Sequence, residues 1–192
     1  MGFMIAVHAG AGYHDPKREE EYARAMRRAC QRGGEVLIST ACTLRAVEAA
    51  IAVLEDAVVC NAGRGSNLTR EGTVECDASA MGGGGSFGAV GAAPGIRNPI
   101  KAAVQLALDG RERLSCGRVR PMLLTGQGGT RWAISRGLDA TMNEREADAM
   151  HVTPEARQRW KRYGRMVGQA GDEHPAESWE RLCHGKKRQR LG

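Results

Sequence analysis

The stretch TVECDASAMGGGGSFGAVGAA, residues Thr73 to Ala93, decides how this chain is read. Thr73 to Met81 and Phe87 to Ala93 each have the length and small, apolar-rich composition of a strand. Between them the run Gly82-Gly83-Gly84-Gly85-Ser86 breaks both strands and permits a tight reversal. The pair therefore predicts a hairpin. Along the first strand Glu75 and Asp77 are two residues apart, so they share one face. Paired carboxylates can serve acid–base chemistry, although an exposed strand face is the commoner explanation.

Upstream, Phe3 to Val7 is a short apolar run that ends in His8-Ala9-Gly10-Ala11-Gly12, the pattern of a buried strand entering a glycine-rich loop. Exposed backbone N–H groups at such an exit can bind an anion or a carboxylate. The glycine spacing fits neither a dinucleotide fingerprint nor a P-loop. Lys17 to Arg32 reads as a surface helix. Thr43 can cap a second helix, Leu44 to Leu54, whose Leu44, Val47, Ala50, Ile51 and Leu54 form one apolar stripe. The loop that follows contains Asn61-Ala62-Gly63-Arg64-Gly65-Ser66-Asn67. By itself it is an ordinary loop in which asparagine and glycine suit turns.

Downstream, Asn98-Pro99 opens a helix with Asn as cap and Pro at its first position, running to Leu108 and stopping at Gly110. Met122 to Thr125 predicts a short strand, and Gly128 to Arg136 a helix stopped at Gly137. From Asp139 to Gly192 the only Leu, Ile, Val or Phe residues are Val152, Val167, Leu182 and Leu191. So little apolar surface does not offset chain entropy. The division expected is 1–138 as a folded region and 139–192 as a mostly disordered, charged linker or tail, with a helix around Pro154 to Arg165.

The bulk numbers narrow the function classes. The chain of 192 residues carries a formal charge of +6 at pH 7, too moderate to imply nucleic acid. Its six cysteines, at 30, 42, 60, 76, 116 and 183, show no C-x-x-C spacing and read as reduced thiols. No apolar run approaches the roughly 20 residues of a membrane span.

Taken together, the blocks His8 to Gly12, Leu54 to Asp56, Asn61 to Gly65, Glu75 to Ser79, Gly88 to Val90 and Asn98-Pro99 resemble, in order and spacing, the plant-type asparaginase family of N-terminal nucleophile hydrolases. Tyr13-His14, Ser66-Asn67-Leu68, Glu75-Cys76-Asp77 and Arg131-Trp132-Ala133 point within it toward the threonine aspartases, or taspases. The resemblance covers most of residues 1–137. It implies an α+β fold, the first half of a four-layer αββα sandwich with a disordered basic tail. It also implies a precursor that cleaves itself before a threonine, which then attacks with its own α-amino group as general base.

On this resemblance two positions match functional residues. Gly10 matches a glycine whose backbone lines the anion site beside the nucleophile. Asn61 matches an asparagine beside the scissile or substrate carbonyl. No catalytic residue and no cofactor is expected in this chain, though in asparaginases backbone carbonyls matching Leu54 to Arg64 hold a monovalent ion near the active site. The nucleophile motif, T-V-G-A-V after an acidic residue or glycine, has no match. Glu71-Gly72-Thr73-Val74 mimics it, but Thr73 reads as a strand residue. Gly129-Thr130 precedes a charged helix and fails too. Where the family has Asp-Gly after the methionine, four glycines follow Met81, which implies a looser turn.

The first expectation is thus the first-subunit part of a taspase-like threonine endopeptidase, inactive alone. Its partners are a second subunit carrying an N-terminal Thr, a homodimer of such pairs, and a protein substrate, with neither membrane nor nucleic acid. The alternatives are a non-catalytic truncated form that binds full-length relatives, and an asparaginase or isoaspartyl peptidase subunit. The basic cluster Lys186 to Arg190 fits a nuclear-import composition, so nucleus and cytoplasm are the expected locations. Without a second half, Phe3 to Val7 and Thr73 to Ala93 are expected to expose unpaired edges and apolar faces.

Overall fold

The computed structural model describes residues 2–10 and 15–170. After a 3-10 turn at Pro16–Arg18 come helices α1 (Glu19–Thr40) and α2 (Thr43–Glu55), then strands β1 (Glu75–Met81) and β2 (Phe87–Pro94). Helix α3 (Pro99–Asp109), strand β3 (Leu123–Thr125) and helices α4 (Gly126–Ser135), α5 (Glu144–His151) and α6 (Pro154–Ala170) complete the order. Among the described residues no helix is long and apolar enough to cross a membrane.

The predicted hairpin forms. β1 and β2 are antiparallel, β3 joins β2 in parallel, and the sheet order is β1-β2-β3. Two backbone bonds close the tetraglycine turn: Gly82 N–H donates to the Ser86 carbonyl at 2.8 Å and Gly85 N–H to the Gly82 carbonyl at 3.0 Å. Gly85 takes the left-handed conformation (φ 80°) that lets the strands meet with their natural twist.

Strand alternation gives the sheet two unlike faces. Cys76, Ala78 and Ala80 of β1, with Val90 of β2 and Leu124 of β3, turn toward the helices. α3 lies across that face. Its Ile100, Ala103, Val104 and Ala107 pack with Leu44 of α2 and Ala80, while its Ala102 and Leu106 pack with Val90, Ala93, Ile96 and Ala133 of α4. Alanine dominates these contacts, so helix and sheet approach closely. On the opposite face Met81 is 76 % and Leu123 54 % exposed, beside Glu75, Asp77, Ser79 and Thr125. The described residues thus build one helical layer and one sheet layer of mixed α/β structure, with one face of the sheet open in this chain.

α1 is longer than its charge pattern suggests because it runs on through Gly33 and Gly34, both buried. A Cβ on Gly33 would sit 3.1 Å from the Ala46 carbonyl and 3.2 Å from Ala50 Cβ of α2, so the glycine allows the two helices to pack tightly. α1 ends at Ala41, which takes φ 52° and donates its N–H to the Leu37 carbonyl. Glycine suits this position better than alanine. Ala41→Gly is expected to stabilise the fold by about 0.5–1 kcal/mol, read as a raised urea midpoint with unchanged slope.

Two expectations need correction. Phe3 to Val7 forms no strand. It runs extended along α1 and α2, lining a cavity of about 280 Å³ with Leu37, Ala46, Val47 and Leu54. A strand needs a partner, and this segment pairs with none of β1, β2 and β3. Residues 139–170 are not disordered. Asn143 caps α5 by accepting from Arg145 and Glu146 N–H, and Thr153 caps α6 by accepting from Ala156 N–H. Ile96 bridges Ala140, so this segment is joined to the core across the expected boundary at 138. The helix expected around Pro154 to Arg165 is present and extends to Ala170. The cluster Lys186 to Arg190, Tyr13-His14 and the rest of 171–192 lie outside the described residues.

Candidate active-site loop

The Asn61 loop owes its shape to its two glycines. Gly63 and Gly65 both adopt positive φ (68° and 86°). A Cβ on Gly63 would lie 2.7 Å from the Glu55 carbonyl oxygen, and one on Gly65 2.7 Å from that of Val58. Conformation and space both demand glycine. Gly63→Ala is expected to destabilise by about 3 kcal/mol, combining left-handed strain with a backbone collision, as a lowered denaturant midpoint would show.

Within this loop Arg64 N–H donates to the Glu55 carbonyl at 2.8 Å. The buried Ser66 hydroxyl donates to the Gly63 carbonyl at 2.6 Å. Asn61 Oδ1 accepts the Asn67 N–H at 2.8 Å. That bond orients the exposed amide, leaving its Nδ2 outward as a donor. The carbonyls of Leu54, Glu55, Ala57 and Gly63, in the stretch where the resemblance places a monovalent ion, accept N–H groups of the same loop. Among the described residues no group of three or more His, Cys, Asp or Glu could hold a metal.

Gly10 has φ 96°, and its N–H donates to His8 Nδ1 at 3.2 Å. Ala9, just before it, and Ala62, just after Asn61, pack on the same cluster of Ala25, Ala29, Ala50, Leu54 and Cys60. The two glycine loops singled out in the sequence are therefore drawn to one end of the α1–α2 pair.

The carboxylate pair on β1 is a different matter. Glu75 and Asp77 do share the open face, but Asp77 Oδ1 accepts the Ala92 N–H at 2.8 Å where the ladder slips between Cys76 and Ala78. Ala92 sits there at φ 45°. Asp77 is thus a brace for a β-bulge. The two threonine look-alikes are structural as well: Thr73 shares a hydroxyl contact of 2.9 Å with Thr69, and the fully buried Thr130 donates to the Pro94 carbonyl at 2.6 Å.

One residue that sequence reasoning passed over is Glu55, the last residue of α2. It is 3 % exposed. Its Oε1 accepts Ile100 N–H at 2.9 Å, so it caps α3 from a distant part of the chain. Asn98, the expected cap, makes no such side-chain bond and instead donates to Asp56 Oδ1 at 3.4 Å. Glu55 Oε2 is buried without a hydrogen-bond partner. Burial pushes the Glu55 carboxyl up to about 8, against the bond from Ile100, which favours the ionised form. Its only sequence signal was the Leu-Glu-Asp at a helix end.

With this geometry in view, comparison with known proteins is informative. The asparaginase family matches residues 1–189. An isoaspartyl peptidase/L-asparaginase of Xenopus laevis is 38 % identical over 158 residues, 82 % of this chain and 47 % of that protein. The Homo sapiens isoaspartyl peptidase/L-asparaginase is 37 % identical over 147 residues, 76 % of this chain and 45 % of that protein. A plant-type L-asparaginase of Pyrococcus abyssi is 34 % identical over 176 residues, 89 % of this chain and 54 % of that protein. The chain spans about half the length of the curated relatives it matches. Its glycine-shaped loops, its hairpin and a family match over nearly the whole sequence place this chain in the asparaginase family of N-terminal nucleophile hydrolases.

Proposed function

We propose that this chain is the first-subunit scaffold of an isoaspartyl peptidase/L-asparaginase, a hydrolase of the asparagine side-chain amide or of β-aspartyl peptide bonds. The observation that carries the reading is the similarity to relatives bearing that name over about four fifths of this chain. It replaces the endopeptidase reading as the leading one.

In this reading a companion polypeptide beginning with threonine supplies the nucleophile, and its own α-amino group takes the hydroxyl proton as the bond to the acyl carbon forms. This chain contributes position. Asn61 holds its loop through Oδ1 and offers Nδ2 to a substrate carbonyl, where a fixed donor stabilises developing negative charge. The Gly10 turn shapes the adjacent anion-binding wall. The open sheet face, with Met81 and Leu123 exposed, is where the companion covers this chain, and two such pairs form the homodimer.

A taspase-like endopeptidase acting after aspartate, in nucleus and cytoplasm, is the second reading. It rests on Ser66-Asn67-Leu68, Glu75-Cys76-Asp77 and Arg131-Trp132-Ala133. The assembled enzyme should release ammonia from L-asparagine and cleave a β-aspartyl dipeptide, and Asn61→Ala should lower kcat/KM by about 100-fold. Cleavage of an Asp-containing peptide with neither small substrate turned over would favour the second reading instead.

A further inference from the structure

The segment after residue 138 does more than dock. Gly65, in the Asn61 loop, is gripped through both of its backbone groups. Its N–H donates to the His151 carbonyl at 2.8 Å, and its own carbonyl accepts from Arg159 Nη2 at 3.0 Å. A few residues on, Arg157 donates to the Gly72 carbonyl at 3.3 Å and to Asp148 at 3.1 Å. The Trp160 ring closes over Gly72, 3.3 Å from where a Cβ would be.

These grips have a firm base. His151 is 2 % exposed, and its ring nitrogens face the carbonyls of Ile96 at 3.1 Å and Ala147 at 3.2 Å. Thr153 and Ala156, which turn the chain from α5 into α6, are buried as well. Arg159 Nε is buried with no hydrogen-bond partner, a cost that the fold bears at this one contact. The same loop is held underneath by the Glu55 carbonyl, and inside by the bond from Asn67 N–H to Asn61 Oδ1.

We propose that α5 and α6 form a clasp on the Asn61 loop, and that Arg159 is a positioning residue: by holding Gly65 it fixes the direction in which Asn61 presents its amide. The link is short. Gly65 lies between Asn61 and Asn67, and those two are bonded to each other. Freeing the Gly65 carbonyl lets the loop rotate about its two positive-φ glycines without disturbing α3 or the sheet. The part concerning Asn61 and substrate rests on the function proposed above, whereas the clasp itself does not.

The test is amide hydrogen exchange on the full chain, comparing wild type with Arg159→Gln and Arg159→Lys. Arg159→Gln should speed exchange at Gly65 and Asn67 at least about tenfold and leave Ala103 in α3 unchanged, because the opening is local. Arg159→Lys, which keeps the charge, should restore part of the protection. Unchanged exchange at Gly65 and Asn67 in Arg159→Gln would overturn the clasp. Equal speeding at Ala103 would overturn the positioning role by making Arg159 a residue of general stability. In the assembled hydrolase Arg159→Gln should lower kcat for a β-aspartyl dipeptide more than it raises KM, because the Asn61 donor acts on charge that develops in the transition state. A changed exchange pattern with unaltered kcat would refute the effect on Asn61 while leaving the clasp standing, and so separates the two claims.

Discussion

Gly88→Ala should abolish cooperative folding. Gly88 lies in β2 where α3 crosses the sheet. A Cβ there would run into the backbone carbonyl of Ala103 and the amide of Ala107, and would come within 2.7 Å of Leu106 Cβ. Backbone atoms cannot turn aside as a flexible side chain can, so α3 must lift off the sheet. α3 carries Ile100, Val104 and Leu106, each almost fully buried, so lifting it opens both core clusters at once. Overpacking against side chains costs about 1–3 kcal/mol. Against fixed backbone a cost of about 4 kcal/mol or more is expected, most of the stability of a domain at the lower end of the usual range of about 5–15 kcal/mol. Gly83→Ala is the matched control, since a Cβ there meets nothing within 4 Å and its φ is not positive. Circular dichroism during urea titration should show Gly88→Ala without a folded baseline and Gly83→Ala at least as stable as the parent. A Gly88→Ala protein melting with the parent would refute the close packing of α3 on β2.

Glu55 should make stability fall as pH rises. The folded chain holds the Glu55 proton up to about 8, whereas an unfolded chain releases it near 4.5. Between those values the folded state binds more protons than the unfolded one, so the slope of stability with pH is negative. The contribution is fully present below pH 4.5, is lost progressively as pH rises to 8, and is absent above it. At about 1.4 kcal/mol per pH unit, the loss is on the order of 5 kcal/mol. Physically, ionisation leaves a charge in a buried site where Ile100 N–H and the nearby Asn98 amide favour it too weakly to offset desolvation, with Asp56 adding repulsion and Lys101 partly offsetting it. Glu55→Gln keeps the acceptor for Ile100 and removes the charge. Its stability should be flat across this window and should exceed that of the parent above pH 8. Parallel pH profiles for the two proteins would show that Glu55 is not held in its neutral form.

How much of this was legible in the sequence depends on how local each cause is. The α2 stripe was readable because Leu44, Ala50 and Leu54 recur at helical spacing, and all three are buried. The hairpin was readable because glycines mark its turn. The Asn98-Pro99 helix start was readable, but its cap was not, since Glu55 reaches it across 45 positions of chain. Phe3 to Val7 has strand chemistry, but pairing depends on a neighbouring edge that its own residues do not specify. The segment 139–170 has too few aliphatic residues to suggest order. It is held by two capped helix starts, by a histidine buried between carbonyls, and by arginines bonded to backbone oxygens, and none of these registers as hydrophobic periodicity. At the site, the need for glycine at 63 and 65 was visible, whereas the grip on Gly65 by Arg159 joins positions far apart in sequence and could not be read from either.

The central claim is that this chain is one of two parts of an asparaginase-family hydrolase. Isolating it under native conditions and determining the intact mass and N-terminal sequence of every chain that accompanies it tests that claim most directly. The account predicts a companion polypeptide whose first residue is threonine, in a complex that hydrolyses L-asparagine or a β-aspartyl dipeptide. A protein isolated without any threonine-initiated companion, and inert toward both substrates, would contradict it.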